Sequence, residues 1–124
     1  MKPLSILVID DEIVIGDACR LVLSEHGHSV AHCLTGEDGL REIQRSPYDL
    51  ILLDMKLPDI DGTRVLEFIR EKKVPVRVIV MTGYSTLSNA VEAMKLGAAD
   101  YLSKPFSEDE LLQVIRQLFT KRDG

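Results

Sequence analysis

The strongest constraint on the fold is a regular alternation of short apolar runs with longer stretches of helical spacing. Short, nearly continuous apolar runs are typical of strands buried on both faces, and parallel strands need crossover connections such as helices. The alternation therefore predicts an α/β domain, a parallel sheet of five strands flanked by five helices. The runs lie at Leu4–Ile9, Val30–Leu34, Leu50–Leu53, Val76–Met81 and Tyr101–Leu102.

Residues that cap or break helices lie at the ends of the helical stretches. Ser107–Glu110 has the spacing of a capping box and opens the last helix. The first helix is predicted to end at Gly27, and the second to begin at Thr35 and end before Ser46. The third is predicted to follow Gly62 and run to about Lys73, and the fourth to begin at Ser85 or Thr86 and stop at Gly97.

The first helix shows a helical stripe in which only the last position is polar. Its positions follow the spacing i, i+4, i+7, i+8 and i+11, which indicates one face of a helix. We therefore expect this face to be buried against the sheet. It contains Val14, Ala18, Leu21, Val22 and Glu25.

The size of the chain bounds the domain count and the place of the site. With 124 residues, 45% of them apolar, residues 1–124 are expected to form one domain. A doubly wound sheet of five strands commonly has the order 2-1-3-4-5, with its switch point between strands 1 and 3. Ligands bind such sheets beyond the carboxyl ends of the strands. The functional site is expected at that point.

Charge and hydropathy exclude two classes of partner. A formal net charge of -5 gives no general attraction to phosphate backbones, so direct binding of nucleic acid is not expected. No apolar run approaches the roughly 20 residues of a membrane helix, and no signal peptide precedes the first strand. We expect a cytoplasmic protein without membrane contact.

The cysteines and histidines are not expected to form a metal or redox site. Cys19 and Cys33 lie too far apart for a CxxC motif and are interpreted as reduced, buried thiols. The histidines near the end of the first helix and in strand 2 are expected to have surface or packing roles, away from the acids at the strand ends. They are His26, His28 and His32.

Three carboxylates follow the two central strands. Asp10 and Asp11 come at the end of strand 1, and Asp54 ends the run LILLD of strand 3. Glu12 is explained mainly by the preference of acids for a helix N-terminus. Clustered carboxylates repel one another, and a hard divalent cation relieves that repulsion. Mg²⁺ binds through one or two carboxylates and retains waters that phosphate oxygens can replace. The sequence therefore predicts a Mg²⁺ site.

The ends of the last two strands add complementary groups. Thr82 ends strand 4 with a hydroxyl, and Lys104 follows strand 5 with a cation. A carboxylate beside Mg²⁺, facing a lysine and a hydroxyl, can attack a phosphoryl group and stabilise charge on its oxygens. This combination predicts an aspartyl phosphate as the product.

The motifs that carry these residues resemble those of a known family. VIDDE, LLDMKLPDIDG, VMTGYS and GAADYLSKPF occur in the order and at the spacing of response-regulator receiver domains, the CheY-like fold of two-component signalling. The resemblance covers essentially the whole chain. It implies a domain that accepts a phosphoryl group and then changes the surface that it presents to an output domain or partner.

The resemblance also implies a role for each site residue. Asp54 is the expected phosphoacceptor, and Asp10 and Asp11 are the acidic pair. The Mg²⁺ ligands would be Asp11, Asp54 and the backbone carbonyl of Lys56, with Asp10 beside them. The expected switch pair is Thr82 and Tyr101, and the phosphoryl-binding lysine is Lys104, whose bond to Pro105 is expected to be cis.

The resemblance further implies the partners. A sensor histidine kinase or phosphotransfer protein would donate the phosphoryl group, and the surface formed by helix 4, strand 5 and helix 5 would act on the output, with a homodimer formed on phosphorylation. The stretch from Met81 to Phe106 is similar to receivers of transcriptional regulators. A receiver-like interaction scaffold that is not phosphorylated remains the alternative. Self-catalysed phosphorylation and dephosphorylation would be its only chemistry, so we do not expect an enzyme.

Two other readings of the fold fit the residues less well. A flavodoxin-like carrier of FMN needs a phosphate loop after strand 1, where the acids of this chain would repel phosphate. A phosphatase of the haloacid dehalogenase type places a carboxyl acid two residues after its nucleophile, where this chain has Lys56. A lysine of ordinary pKa is a poor general acid at neutral pH.

Two long side chains are expected to lie beside the phosphorylation site. Lys56 follows Asp54 by two residues, and Tyr84 follows Thr82 by two. Neither carries a carboxylate or amide that would orient an attacking water. We therefore predict slow self-dephosphorylation, with exposed loop residues of little kinetic effect as the alternative.

Overall fold

Helices cover both faces of a parallel sheet in the computed structural model, which describes residues 1–83 and 87–120. The strands are β1 (Ser5–Ile9), β2 (Ser29–Cys33), β3 (Leu50–Asp54), β4 (Arg77–Thr82) and β5 (Asp100–Ser103). The helices are α1 (Ile13–Glu25), α2 (Gly36–Arg45), α3 (Gly62–Glu71), α4 (Leu87–Lys95) and α5 (Glu108–Phe119). The predicted α/β class and its alternation of strands and helices are confirmed. The expected start of α4 at Ser85 or Thr86 lies outside the described residues.

The sheet has the predicted strand order, β2-β1-β3-β4-β5, with all pairs parallel. β1 and β3 lie at the centre, and every residue of β3 is buried. Burial on both faces explains why LILLD reads as a continuous apolar run rather than an alternating one. Ile9 of β1 pairs with Leu53 of β3, so the residues that follow these two positions emerge side by side. The switch point therefore lies where the sequence predicts it.

Two apolar clusters fill the space between the sheet and its helices. Leu23 of α1 and Ile115 of α5 belong to the cluster on one face. Ile43 of α2, Val65 of α3 and Ala93 of α4 belong to the cluster on the other face. The sheet is thus covered by two helices on one side and by three on the other, which holds its carboxyl edge in place.

Side-chain caps fix the starts of several helices. Thr35 accepts a hydrogen bond from the backbone N–H of Asp38 at 3.1 Å and caps α2 as predicted. Ser107 and Glu110 form the predicted capping box of α5, with reciprocal bonds of 2.8 and 3.1 Å. These bonds satisfy backbone donors that the first turn of a helix leaves free.

Left-handed backbone conformations end two of the helices. Gly27 has φ of 89° directly after α1, as its sequence position predicts. α3 ends at Glu71, before the predicted Lys73, because Lys73 itself has φ of 53° and cannot continue a right-handed helix. The longest described helix, α1, has 13 residues, and none of the described helices is long and apolar enough to cross a membrane.

The predicted buried face of α1 is wrong. Val14 is 75% exposed and Leu21 is 64% exposed, whereas Cys19 and Leu23 are fully buried. The helix carries two apolar stripes, and spacing alone does not show which one faces the sheet. The stripe with the small residues Gly16 and Cys19 packs against the sheet, because small side chains let the helix approach closely. Of the predicted stripe, Val14, Ala18 and Leu21 are left as an exposed apolar surface, whereas Val22 is half-buried and packs against the core.

Candidate functional site

Three carboxylates converge at the carboxyl edge of the central strands. Asp10 follows β1 directly, Asp11 comes next, and Asp54 is the last residue of β3. Each offers one carboxylate oxygen, and these three oxygens lie within 4.8 Å of one another. The sheet register brings the acids together because Ile9 and Leu53 are paired neighbours. The structure thus assembles the acidic trio that the sequence predicts.

Asp10 is the most enclosed member of the trio. Its residue surface is fully buried, and its Oδ1 atom accepts the backbone N–H of Glu12 at 2.8 Å. Its Oδ2 atom lies 2.7 Å from Lys104 Nζ. That contact lacks hydrogen-bond angles, and within the described residues Oδ2 has no hydrogen-bond partner. The contact is an ion pair, because two opposite charges lie only 2.7 Å apart.

Lys104 neutralises the acids from the end of β5. Its Nζ atom also lies 3.3 Å from Asp54 Oδ2 and 3.3 Å from Glu12 Oε1. Burial lowers the pKa of Lys104, but the close contact with Asp10 and the charges of Asp54 and Glu12 outweigh it and raise the pKa above its usual value. The backbone N–H of Lys104 donates to the carbonyl of Thr82 at 2.6 Å, which holds the backbone of the lysine beside the end of β4. The ammonium group of Lys104 is therefore held by Asp10, Asp54 and Glu12.

Asp54 is buried, and among the described residues each of its two carboxylate oxygens contacts a single donor. One of its oxygens accepts the backbone N–H of Lys56 at 3.1 Å, and the other faces Lys104. Burial raises the pKa of Asp54, the bond from Lys56 opposes that rise, and the charge of Asp10 adds to it. A carboxylate with few donors around it keeps lone pairs for attack on an electrophile. This chemistry suits a nucleophile.

Glu12 lies at the N-terminus of α1, as expected, and it also contacts the site. It occupies the N-cap position of α1, yet its side chain makes no capping bond within the described part of the chain. Its carboxylate reaches Lys104 instead, at 3.3 Å. Its place next to Asp10 and Asp11 was the sequence signal for this contact. The lysine accordingly meets three carboxylates.

The donor set fits a hard divalent cation. Carboxylate oxygens are the ligands that Mg²⁺ and Ca²⁺ prefer, and Mg²⁺ retains several waters when few protein ligands are present. Asp10 provides a buried oxygen that lacks a hydrogen bond, and exposed Asp11 borders solvent. The loop after Asp54 is held by the pairing of Lys56 with Asp61. That the backbone carbonyl of Lys56 is a Mg²⁺ ligand remains a prediction from the family resemblance.

The expected switch residues occupy the neighbouring strands. Thr82 is buried at the end of β4, and Tyr101 on β5 is 42% exposed. Val80 of β4 is the register partner of Tyr101, so the tyrosine lies two pairs away from the threonine, which pairs with Ser103. The peptide bond between Lys104 and Pro105 is cis. Tyr84 lies outside the described residues.

The expectation that all three histidines lie away from the acids is wrong for His32. Its Nε2 atom lies 2.8 Å from the backbone carbonyl oxygen of Asp10. Sequence reasoning missed this because β2 is the neighbour of β1, and only the register shows which residue of β2 reaches the acids. His28 is buried and accepts the N–H of Leu4 at 3.0 Å, and His26 is exposed at the end of α1.

The cysteines match their expected state in part. Both are free, but only Cys19 is fully buried, whereas Cys33 is half-buried. Burial raises the pKa of the Cys19 thiol to about 11, and the nearby Asp10 carboxylate adds to that rise. A thiol with so high a pKa is a poor nucleophile at neutral pH.

Comparison with known proteins agrees with the fold and shows the family. The family model of the response regulator receiver domain matches residues 6–116. The chain is 41% identical over 111 residues to the transcriptional regulatory protein DltR of Streptococcus agalactiae, covering 90% of this chain and 50% of DltR. It is 37% identical over 119 residues to the transcriptional regulatory protein QseB of Escherichia coli O157:H7, covering 96% of this chain and 54% of QseB. The chain thus spans about half the length of these relatives.

A solved structure shows the same architecture. The crystal structure of a CheY-like response regulator receiver domain protein from Methanospirillum hungatei superposes with a TM-score of 0.87 at 33% identity, covering 94% of each chain. A parallel sheet of order 2-1-3-4-5 with acids at its switch point defines a signalling domain of the CheY-like class. The chain belongs to the response regulator receiver domains.

Proposed function

We propose that this receiver accepts a phosphoryl group on Asp54 from a sensor histidine kinase or a phosphotransfer protein, with Mg²⁺ bound at the acidic trio. The observation that carries the proposal is the convergence of three carboxylate oxygens within 4.8 Å, next to a lysine whose Nζ lies 3.3 Å from Asp54. One lysine cannot balance the charge of three carboxylates, and like charges that share a site are unfavourable unless a further cation offsets them.

The proposed reaction is an in-line transfer to a carboxylate. An oxygen of Asp54 attacks phosphorus and forms an O–P bond while the N–P bond of the donor phosphohistidine breaks. The electron pair of that bond returns to the imidazole nitrogen, which takes a proton from solvent. Lys104 faces the charge that develops on the phosphoryl oxygens, and Thr82 offers them a hydroxyl. The transfer needs no other co-reactant.

The chain's acids would hold the cation for this reaction. When bound, Mg²⁺ supplies charge stabilisation for the phosphoryl oxygens. Asp11 and Asp54 bind it in the proposal together with the carbonyl of Lys56, and buried Asp10 supports them. Asp10 also retains Lys104 near the site through its 2.7 Å ion pair.

The apolar stripe on α1 supports a protein donor. Val14 and Leu21 are exposed on one face of α1, with Ala18 exposed between them. The helix begins two residues after Asp11, so this stripe borders the site directly. A helix from a donor protein that packs on exposed apolar side chains would bring its phosphohistidine to Asp54.

The output surface is proposed to lie on α4, β5 and α5. Exposed apolar side chains occur there at Val91 and Met94 of α4 and at Tyr101 of β5. Phosphorylation would draw Thr82 toward the phosphoryl group and bias Tyr101 inward, which favours an active state that already exists in the ensemble. The relatives named as transcriptional regulatory proteins support a role in control of transcription. In the proposal this cytoplasmic control acts through an output domain or a homodimer.

Labelling by a small phosphodonor tests the proposal. The protein is incubated with acetyl phosphate in Mg²⁺ or in EDTA, and its intact mass is measured. A single phosphoryl adduct that requires Mg²⁺ is the expected result. An unmodified protein under both conditions would favour the interaction scaffold.

A further inference from the structure

The backbone of Asp10 is held by two neighbouring residues of the edge strand β2. Its N–H donates to the carbonyl of Cys33 at 3.1 Å. Its carbonyl oxygen lies 2.8 Å from Nε2 of His32. Because a carbonyl oxygen only accepts, Nε2 of His32 must carry the hydrogen. The side chain of His32 therefore continues the β1–β2 hydrogen bonding past the last paired residues, Ile9 and Cys33.

The accepting carbonyl belongs to the peptide unit that joins Asp10 to Asp11. A peptide unit is planar, so fixing its oxygen also fixes its nitrogen and with it the direction in which the chain enters Asp11. Only two soft backbone dihedral angles, ψ of Asp10 and φ of Asp11, lie between the Cα atoms that carry the two carboxylates. The bond from His32 thus constrains the angle at which the acidic pair diverges.

Gly16 makes room for this bond. A Cβ atom on residue 16 would lie 2.0 Å from Cε1 and Nδ1 of His32. Side chains essentially never approach so closely, so alanine at this position would displace the imidazole. The absence of a side chain at Gly16 of α1 and the imidazole of His32 on β2 are therefore sterically complementary.

We propose that His32 is a positioning residue for cation binding: its Nε2–H bond to the Asp10 carbonyl holds the peptide between Asp10 and Asp11 in the orientation that binds Mg²⁺. This inference rests on the proposed Mg²⁺ site. His32 touches no phosphoryl group in this account, and its effect passes through the backbone. Groups that orient metal ligands without touching the metal typically change metal affinity by about 10- to 100-fold.

The test measures Mg²⁺ affinity by isothermal titration of the unphosphorylated protein. His32→Leu removes the donor at similar volume, whereas His32→Gln places an amide N–H at the same distance along the side chain as Nε2. We expect the leucine variant to bind Mg²⁺ about tenfold more weakly and the glutamine variant to regain most of the affinity. His26→Leu is the matched control, because His26 also has a ring nitrogen near a backbone carbonyl, that of Val22 at 3.0 Å, but lies far along α1.

A second variant perturbs the same bond from the opposite side. Gly16→Ala should weaken Mg²⁺ binding by displacing the imidazole, although alanine favours a helix by about 1 kcal/mol over glycine. Thermal melts of each variant confirm that the titrated protein is folded. We expect NMR to detect a hydrogen-bonded Nε2–H proton of His32 in the parent and to show its loss in Gly16→Ala.

The outcomes separate this inference from the proposed function. A parent that binds Mg²⁺ and a folded His32→Leu that binds it equally well would overturn the positioning role and leave the cation site intact. Equal weakening in the leucine and glutamine variants would also overturn it, because the donor would then be irrelevant. A parent without Mg²⁺ affinity would overturn the cation site and this inference together.

Discussion

Lys104 Nζ lies closer to Asp10 Oδ2, at 2.7 Å, than to Asp54 Oδ2, at 3.3 Å. The lysine proposed to bind the phosphoryl group is therefore paired mainly with the buried acid beside the nucleophile. The same ammonium and the proposed Mg²⁺ compete for the negative charge of Asp10. The state without a cation is thus stabilised by the residue that later faces the phosphoryl group.

Replacing Lys104 by methionine tests this competition. The aliphatic volume remains, but Asp10 and Asp54 lose their cation, and removing one partner of a buried ion pair costs about 3–5 kcal/mol. We expect a lower free energy of unfolding in EDTA, measured with urea, and a partial recovery in Mg²⁺. The competition would be refuted if Mg²⁺ bound Lys104→Met no more tightly than it binds the parent.

The two faces of α1 predict unequal losses of stability when two of its leucines are replaced. Leu23 is fully buried, so Leu23→Ala should lower the free energy of unfolding by about 2–5 kcal/mol. Leu21 is 64% exposed, and Leu21→Ala should change it by less than about 0.5 kcal/mol. Urea unfolding of both variants measures the difference. Similar losses in the two would restore the stripe that the sequence alone favours.

His28 predicts a loss of stability in mild acid. Burial lowers the pKa of His28 below 6.5, with the charges of His26 and the N-terminus adding to that shift, and its neutral Nδ1 accepts the N–H of Leu4. The unfolded state therefore binds a proton more readily. The contribution of His28 is complete above pH 6.5 and is lost as the pH falls below that value toward the folded pKa.

A neutral acceptor isolates this effect. His28→Asn keeps an oxygen near the position of Nδ1 but does not titrate. The free energy of unfolding, measured with urea as the pH is lowered from about 7.5 to about 5.5, should decline less steeply for His28→Asn than for the parent. His26→Asn, at an exposed position, removes only the smaller effect of the His26 charge on His28 and should change the decline less than His28→Asn does. Parallel declines for the parent and His28→Asn would rule out His28 as the titrating group.

The lifetime of the phosphoryl group is predicted to depend on the residues two positions after Asp54 and Thr82. Lys56 is exposed, and its backbone N–H is bound to Asp54, so its side chain borders the nucleophile. We expect Lys56→Asn combined with Tyr84→Glu to accelerate decay of the phosphoprotein in Mg²⁺ by about tenfold, which corresponds to roughly 1.4 kcal/mol. Decay is followed by intact mass after removal of the phosphodonor. Unchanged or slower decay would exclude shielding by these side chains.

The sequence predicts the architecture and the acidic trio because both depend on order along the chain. Parallel strands end at one edge, so residues such as Asp10 and Asp54 meet there whatever the details of packing. The orientation of α1 depends on packing instead, since small Cys19 lies against the sheet while larger Leu21 does not. The contact of His32 with Asp10 depends on the register of an edge strand, which periodicity does not reveal.

The location of the phosphoryl group tests the central claim most directly. The protein is labelled with acetyl phosphate in Mg²⁺, digested, and its phosphorylated residue identified by mass spectrometry, alongside Asp54→Asn and Asp59→Asn. Asp59 is the matched control, because it is an exposed acid of the same loop. We predict phosphorylation of Asp54 in the parent and in Asp59→Asn, and none in Asp54→Asn. Labelling that persists in Asp54→Asn at the level of the parent would contradict the account.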